Sequence, residues 1–281
     1  MNVKQHGKGL FTAVAIAAGM VFGSGAAFAG IALTKHNLSS GGPGPNTFDG
    51  TEAICVFCHT PHGADTSATV PLWNRVLSAP SSYTTYDSLG TSSLDGEVAP
   101  VGSVSIACLS CHDGTQAMNV MINAPGSGNY DPTGAALSGT WTGPASGGSP
   151  VGSLNYATAS IVNIGTDLTN DHPIGIQYGG GGIDSTNPTG NTNDPDFNTT
   201  DLQHAIINSK DIWWVDTSVG TGGSREKTDI QLYTRNDFPG GGNPEPSVEC
   251  ASCHNPHTSD NPTFLRIANT GSAVCLACHV K

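Results

Sequence analysis

Aromatic side chains and charge are both scarce in this 281-residue chain. Phe, Trp and Tyr make up 6% of it and Asp, Glu, Lys and Arg 11%. A core built from such side chains alone is thin, so apolar mass must come from elsewhere. Beyond residue 22 no apolar run reaches the roughly 18 residues that a membrane-spanning helix needs. Positive charge is the scarcest of all: ten Lys and Arg stand against 22 Asp and Glu, a net charge of -12. That balance argues against nucleic acid as a partner. No nucleotide, flavin or phosphate-loop pattern occurs. What is abundant is glycine, with 37 residues, and proline, with 18. Both interrupt regular structure. The expected fold class is therefore mostly irregular coil with short helices and few short strands.

The N-terminus reads as a secretory signal. Lys4 and Lys8 give a basic start, Leu10 to Phe22 an apolar run, and Ala27-Phe28-Ala29 a small-residue cleavage site. Residues 1–29 are the expected signal peptide, with Gly30 the first mature residue. A membrane anchor is the rival reading, but the run is short and rich in Gly and Ala. Cleavage removes two lysines and no acids, taking the charge from -12 to -14. The expected product is secreted, extracellular or at the cell surface, with the periplasm as the alternative and no membrane span in the mature chain.

The eight cysteines decide the chemistry. They form four C-x-x-C pairs, each followed at once by histidine: Cys55, Cys58 and His59; Cys108, Cys111 and His112; Cys250, Cys253 and His254; Cys275, Cys278 and His279. C-x-x-C-H is the attachment signature of haem c. Two thiols add to the two vinyl groups of the porphyrin, and the histidine that follows binds the iron as proximal ligand. Four disulfides, or two four-cysteine zinc sites, would use the same cysteines but would not require a histidine after each pair. Four covalent haems are expected. As large, flat apolar bodies they would fill the thin core, as a stacked column around which the chain wraps.

Each iron then needs a second ligand. Only Met118 and Met121 remain after processing, too few for four irons, whereas five further histidines remain. His62 and His257 each lie three residues beyond a proximal histidine, in C-H-x-P-H. Neither swings easily to the far face of its own haem, but each can reach a neighbouring one. His36 and His172 complete the set of four distal ligands by count. His204 reads as structural. The expected pairing is His36 with the first haem, His62 with the second, His172 with the third and His257 with the fourth, one of them being open to supply by another subunit.

Residues 30–118 hold the first pair of motifs and 245–281 the second, within one tetrahaem domain over 30–281. CVFCHTPH runs through Leu72-Trp73-Asn74-Arg75 to CLSCHDG, and CASCHNPH through Phe264-Leu265-Arg266 to CLACH, an internal repeat with a longer insert in the first copy. Between them, residues 119–244 are rich in Gly, Ser, Asn and Pro and are expected to pack as loops on the haems. Short strands are expected at Ser160–Ile164 and Ile212–Val215, a helix at Asp201–Ser209, and a short helix at each motif. Trp213 and Trp214 read as packing residues. The Asp- and Asn-rich stretch 184–201 lacks the glutamate spacing of an EF-hand calcium loop.

In order, Lys35-His36-Asn37-Leu38-Ser39, CVFCHTPHG, PLWNR, CLSCHDG, DHPIG and CASCHNPH…CLACH resemble the tetrahaem extracellular cytochromes that polymerise into conductive filaments, the OmcE-type nanowire cytochromes. The resemblance covers residues 35–118, 171–176 and 247–281, and its paired-motif portion is shared with the broader doubled C-x-x-C-H proteins. It implies two histidines on every haem, head-to-tail stacking of copies, and one distal histidine, His36 or His62, crossing to the neighbour. Other cytochromes or extracellular acceptors would then be the redox partners.

Electron conduction is thus the expected function, in a filament or as a monomeric periplasmic shuttle. A multihaem reductase needs an iron with an open position. The histidine supply closes every iron here, and no motif carries lysine in place of the proximal histidine, so no enzyme is expected.

Overall fold

A computed structural model describes residues 30–156, 161–217 and 219–280. Residues 1–29, where the signal peptide is expected, lie outside the described residues. Glycine and proline keep the elements short, as their backbone restrictions dictate. The helices are α1 (Ser105–His112), α2 (Cys250–Cys253) and α3 (Ala273–Cys278), with a 3-10 turn at Cys55–Phe57. Each helix carries one cysteine pair, and the 3-10 turn starts at Cys55 and is capped by Cys58. Residues i and i+3 share a helix face, so each turn presents both thiols on one side.

The strands are β1 (Thr47–Phe48), β2 (Val120–Asn123), β3 (Tyr130–Ala136), β4 (Trp141–Thr142), β5 (Ile176–Gln177), β6 (Leu202–Ile207), β7 (Lys210–Val215), β8 (Ile230–Arg235) and β9 (Glu245–Val248). β1 pairs with β4 and β2 with β3. The largest sheet is antiparallel, in the order β5-β9-β8-β7-β6. Residues 119–244 are therefore less irregular than their composition suggests.

The strand expected at 212–215 lies inside β7. The helix expected at 201–209 is instead β6, which turns at Asn208 and Ser209, both with positive φ (51° and 61°), into β7. The physical reason is the partner. Leu202 pairs with Val215 and His204 with Trp213, so alternate β6 side chains complete a face whose other half lies in β7. That non-local pairing overrides the local helical pattern. Of the strand expected at 160–164, Ser160 lies outside the described residues, and 161–164 form a turn and coil.

Three small apolar cores replace one large one. Phe48, Phe57, Met121 and Trp141 centre the first, with Cys58 and Cys111 packed on it. Trp73, Tyr83, Ile106 and Leu109 centre the second, also against Cys58. Tyr178, Trp213, Ile230 and Leu232 centre the third, on the sheet, against Val274, Ala277 and Cys278 of α3. Trp213 and Trp214 are both buried. Among the described residues no helix is long and apolar enough to cross a membrane.

Candidate haem-binding sites

All eight cysteines are free thiols. At three motifs the histidine amide closes a turn on the first cysteine carbonyl: His59 on Cys55 at 2.8 Å, His254 on Cys250 at 3.2 Å and His279 on Cys275 at 2.9 Å. The imidazoles are then oriented from behind. Nδ1–H donates to Pro71 O from His59, to Val162 O from His112 and to Thr263 O from His254, each at 2.8 Å. A carbonyl only accepts, so Nδ1 carries the proton and Nε2 keeps the lone pair that a metal needs.

Two pairs of imidazoles lie close together, nearly parallel for His59 and His257 (16°) and edge-on for His36 and His112 (75°). His59 and His257 have ring centroids 6.3 Å apart, and His36 and His112 6.1 Å. Two metal–nitrogen bonds of about 2 Å each, plus roughly 1 Å from each nitrogen to its ring centre, span about 6 Å. Among the described residues no group of three or more His, Cys, Asp or Glu side chains converges on a metal-ion site. Two opposed imidazoles beside a free thiol pair fit an iron whose remaining four positions a porphyrin fills.

His36 is seated by the far end of the chain. Its Nδ1 lies 3.3 Å from Pro256 O, and its ring stacks on Phe264 at 4.4 Å and 12°. Burial, helped by the His112 imidazole, lowers its pKa to about 4. Burial likewise lowers His112, and lowers His257 together with His59. These imidazoles are held neutral, as ligation requires.

This pairing differs from the expected one. His257 reaches a neighbouring motif's histidine, as its position predicts, but that histidine belongs to the first motif, not the fourth. His36 meets the second motif, not the first. The reason is tertiary: the tail segment folds back beside the first pair of motifs and brings Pro256, His257 and Phe264 with it. His62 and His172 are exposed, and neither ring stacks on another imidazole among the described residues. His172 Nδ1 lies 2.9 Å from the Pro173 carbonyl. His204 is structural, with Nε2 2.8 Å from Asp211 Oδ1 and its ring against Trp213.

The thiols form a sequence of neighbours. Burial drives Cys58 up to about 12, with a further push from nearby Cys111. Cys108 is raised by donating to Cys250 and by burial. Cys253 is raised to about 11 by burial, with Cys275 adding to it. Motifs one and two, two and three, and three and four are thus adjacent in turn.

The internal repeat holds at the level of single atoms. His59 bridges to Trp73 and His254 to Leu265. Asn74 N donates to Cys58 O and Arg266 N to Cys253 O, both at 2.9 Å. The Asn74 amide donates to Val56 O at 2.7 Å, and the Arg266 guanidinium to Ala251 O at 2.9 Å. Val56 and Ala251 each follow the first cysteine of their motif.

Residues 244–281 match a family model described as a doubled CXXCH motif. That motif is an attachment site for covalently bound haem c. The chain is a c-type haem-binding protein. No curated protein matches it. The haem-binding tail is anchored from outside its own segment. Asn198 N donates to Cys278 O at 2.7 Å, Val280 N to Asp196 O at 2.8 Å, and the Phe197 ring covers His279 at 4.5 Å.

Several supporting residues gave no signal in the sequence. Arg75 is fully buried and donates to the carbonyls of Ser110, Ala117, Met118 and Val120. Glu249, also buried, accepts from Ser105 Oγ at 2.5 Å and Arg235 Nη1 at 2.8 Å, linking the start of α1 to the start of α2. The trace the sequence did carry is the repeated order of motif, C-H-x-P-H histidine and a Leu-Trp-Asn-Arg or Phe-Leu-Arg segment, at unequal spacing in the two copies.

Proposed function

We propose that the chain is a tetrahaem c-type cytochrome that conducts electrons, and that copies of it assemble head to tail into an extracellular filament. The observation that supports the reading is two pairs of imidazoles at iron-spanning distance in a chain with four Cys-x-x-Cys-His motifs. A haem iron, when bound, supplies reversible one-electron exchange. The chain's part is to fix positions. Carbonyls behind three proximal imidazoles hold their tautomer and direction, and Glu249 with Ser105 ties the second motif to the third. Closing every iron with a second histidine leaves no position for substrate, which favours conduction over catalysis.

The repeat also supports a role for His62 between copies. His257 follows the third motif and faces the first. His62 holds the equivalent place after the first motif, where the same step leads out of the chain, and it is exposed. A head-to-tail contact that does not close gives an open filament. We assign His62 to the third motif of a neighbouring copy and His172 to the fourth motif, completing four bis-histidine sites.

The test is electron microscopy of the sheared extracellular fraction with haem staining, on the wild type and on His62→Ala. Haem-positive filaments of uniform width are expected from the wild type. From the variant we expect only small particles with one high-spin haem. Small periplasmic particles from the wild type would favour the soluble shuttle, and rapid cyanide binding by the wild-type holoprotein would revive the reductase reading.

A further inference from the structure

The four motifs differ in the residue that follows each proximal histidine. Thr60, Asn255 and Val280 follow the first, third and fourth, and Asp113 follows the second. Asp113 is also buried, with 5% of its surface exposed. A carboxylate taken out of water keeps its charge where donors replace the water. Asp113 has such donors on both oxygens. Oδ1 accepts from Thr115 N and Thr115 Oγ1, both at 2.8 Å, and Oδ2 from Tyr83 OH at 2.8 Å and Ser78 Oγ at 3.3 Å. Burial pushes the Tyr83 phenol up, with Asp113 adding to the push, so its hydroxyl stays a donor.

All of these donors are neutral. The ion pairs among the described residues are His204–Asp211, Arg235–Asp237 and Arg235–Glu249, and none involves Asp113. Arg75, the buried cation of the same segment, spends its donors on Ser110 Oγ and on the carbonyls of Ser110, Ala117, Met118 and Val120. Neutral donors hold a carboxylate without cancelling its charge, whereas a salt bridge opposes it. Glu249, the buried acid before the third motif, is opposed in that way by Arg235 at 2.8 Å. The field of Asp113 reaches its neighbour, since its charge acts on the His112 imidazole.

We propose that Asp113 is a fixed negative charge that holds down the reduction potential of the haem at the second motif. An electron arriving there adds negative charge beside one already buried, and repulsion across protein is weakly screened. Tyr83, Ser78 and Thr115 are positioning residues that fix the carboxylate, and their dipoles offset part of its field. The charge puts a step in the conduction path between the first and third motifs. The assignment rests on haem attachment at the second motif, which belongs to the tetrahaem reading above.

The test is a haem-resolved redox titration of the holoprotein, followed by nuclear magnetic resonance so that the haem ligated by His112 is identified. In Asp113→Asn the amide keeps the shape of the carboxylate, and the Tyr83 and Ser78 hydroxyls can turn to accept from it. That haem should become easier to reduce, by about three- to tenfold in its equilibrium constant, the effect of one partly screened charge. Tyr83→Phe removes a dipole that offsets the charge, and should make the same haem harder to reduce by about twofold. Unmoved potentials in both variants at full haem content would overturn the assignment, and so would shifts of the same sign in both, the mark of a loosened site. If Asp113→Asn does not mature, the sign in Tyr83→Phe decides: harder to reduce supports the assignment, and unchanged or easier overturns it. Mass spectrometry of the wild type shows whether Cys108 and Cys111 carry haem. An unmodified second motif would overturn the tetrahaem reading together with this one, whereas intact attachment with unmoved potentials overturns this one alone.

Discussion

The two paired-motif segments share a backbone clamp and differ in what surrounds it. In the first, the long stretch between Cys58 and Cys108 folds into a core of its own, and α1 buries Ser105, Ile106, Ala107, Leu109 and Ser110. In the second, only residues 254–274 separate the cysteine pairs, and α3 buries none of its residues. The second copy borrows its support from Phe197, Asn198 and Lys227 of the intervening region. The same Cys-x-x-Cys-His turn can thus be stabilised from within or from outside. The insert length decides which.

The largest contrast should come from the two arginines of the repeat. Arg75→Ala removes a buried guanidinium and strands four carbonyls, and should cost about 3–5 kcal/mol. Arg266→Ala removes a half-buried one from the borrowed site, and should cost about 1 kcal/mol. Denaturant titration of the holoproteins measures both. Equal losses would mean that the first copy does not carry its own core.

The join between the copies should be sensitive to pH. Burial takes His36 from 6.5 to about 4. A base whose folded value is depressed adds stability in full above about pH 6.5 and loses it as pH falls through about 4. Glu249, raised by burial, works in the opposite sense: its contribution is full below the ordinary carboxylate range and is lost as pH rises. In the haem-free protein the two terms oppose each other between pH 7 and pH 4, so His36→Gln should remove the acid-destabilising one and shift the pH dependence of the denaturation midpoint toward greater stability in acid.

The smallest effect separates two equivalent backbone positions. Leu72 and Phe264 both have positive φ, 59° and 62°, which costs a residue with a Cβ roughly 1–2 kcal/mol. Leu72→Gly should relieve this and be neutral or stabilising by up to about 1 kcal/mol, the flexibility of glycine offsetting part of the gain. Phe264→Gly should lose stability, because that ring is the seat of His36. Melting temperatures of the two variants, compared with the wild type, decide it.

The motifs and the repeat were legible from the order of residues, since covalent chemistry fixes the offsets within each motif. β6 was not, because its face is completed by Trp213 and Val215 on another strand. Nor was the partner of each distal histidine. A count shows that His36 and His257 are available, but which proximal imidazole each one meets depends on the path of the tail across the first segment. Arg75 was read only as part of the segment between the first two motifs, and its burial follows from carbonyls contributed 35 to 45 positions away.

The seat of His36 also sets an order of events in biosynthesis. The histidine is made early, yet Pro256 and Phe264 follow more than two hundred positions later. His59 likewise waits for His257. A nascent chain that stops short of these residues lacks the His59–His257 pair and leaves His36 without its seat, so both N-terminal imidazoles reach their final setting only after the tail segment has been made.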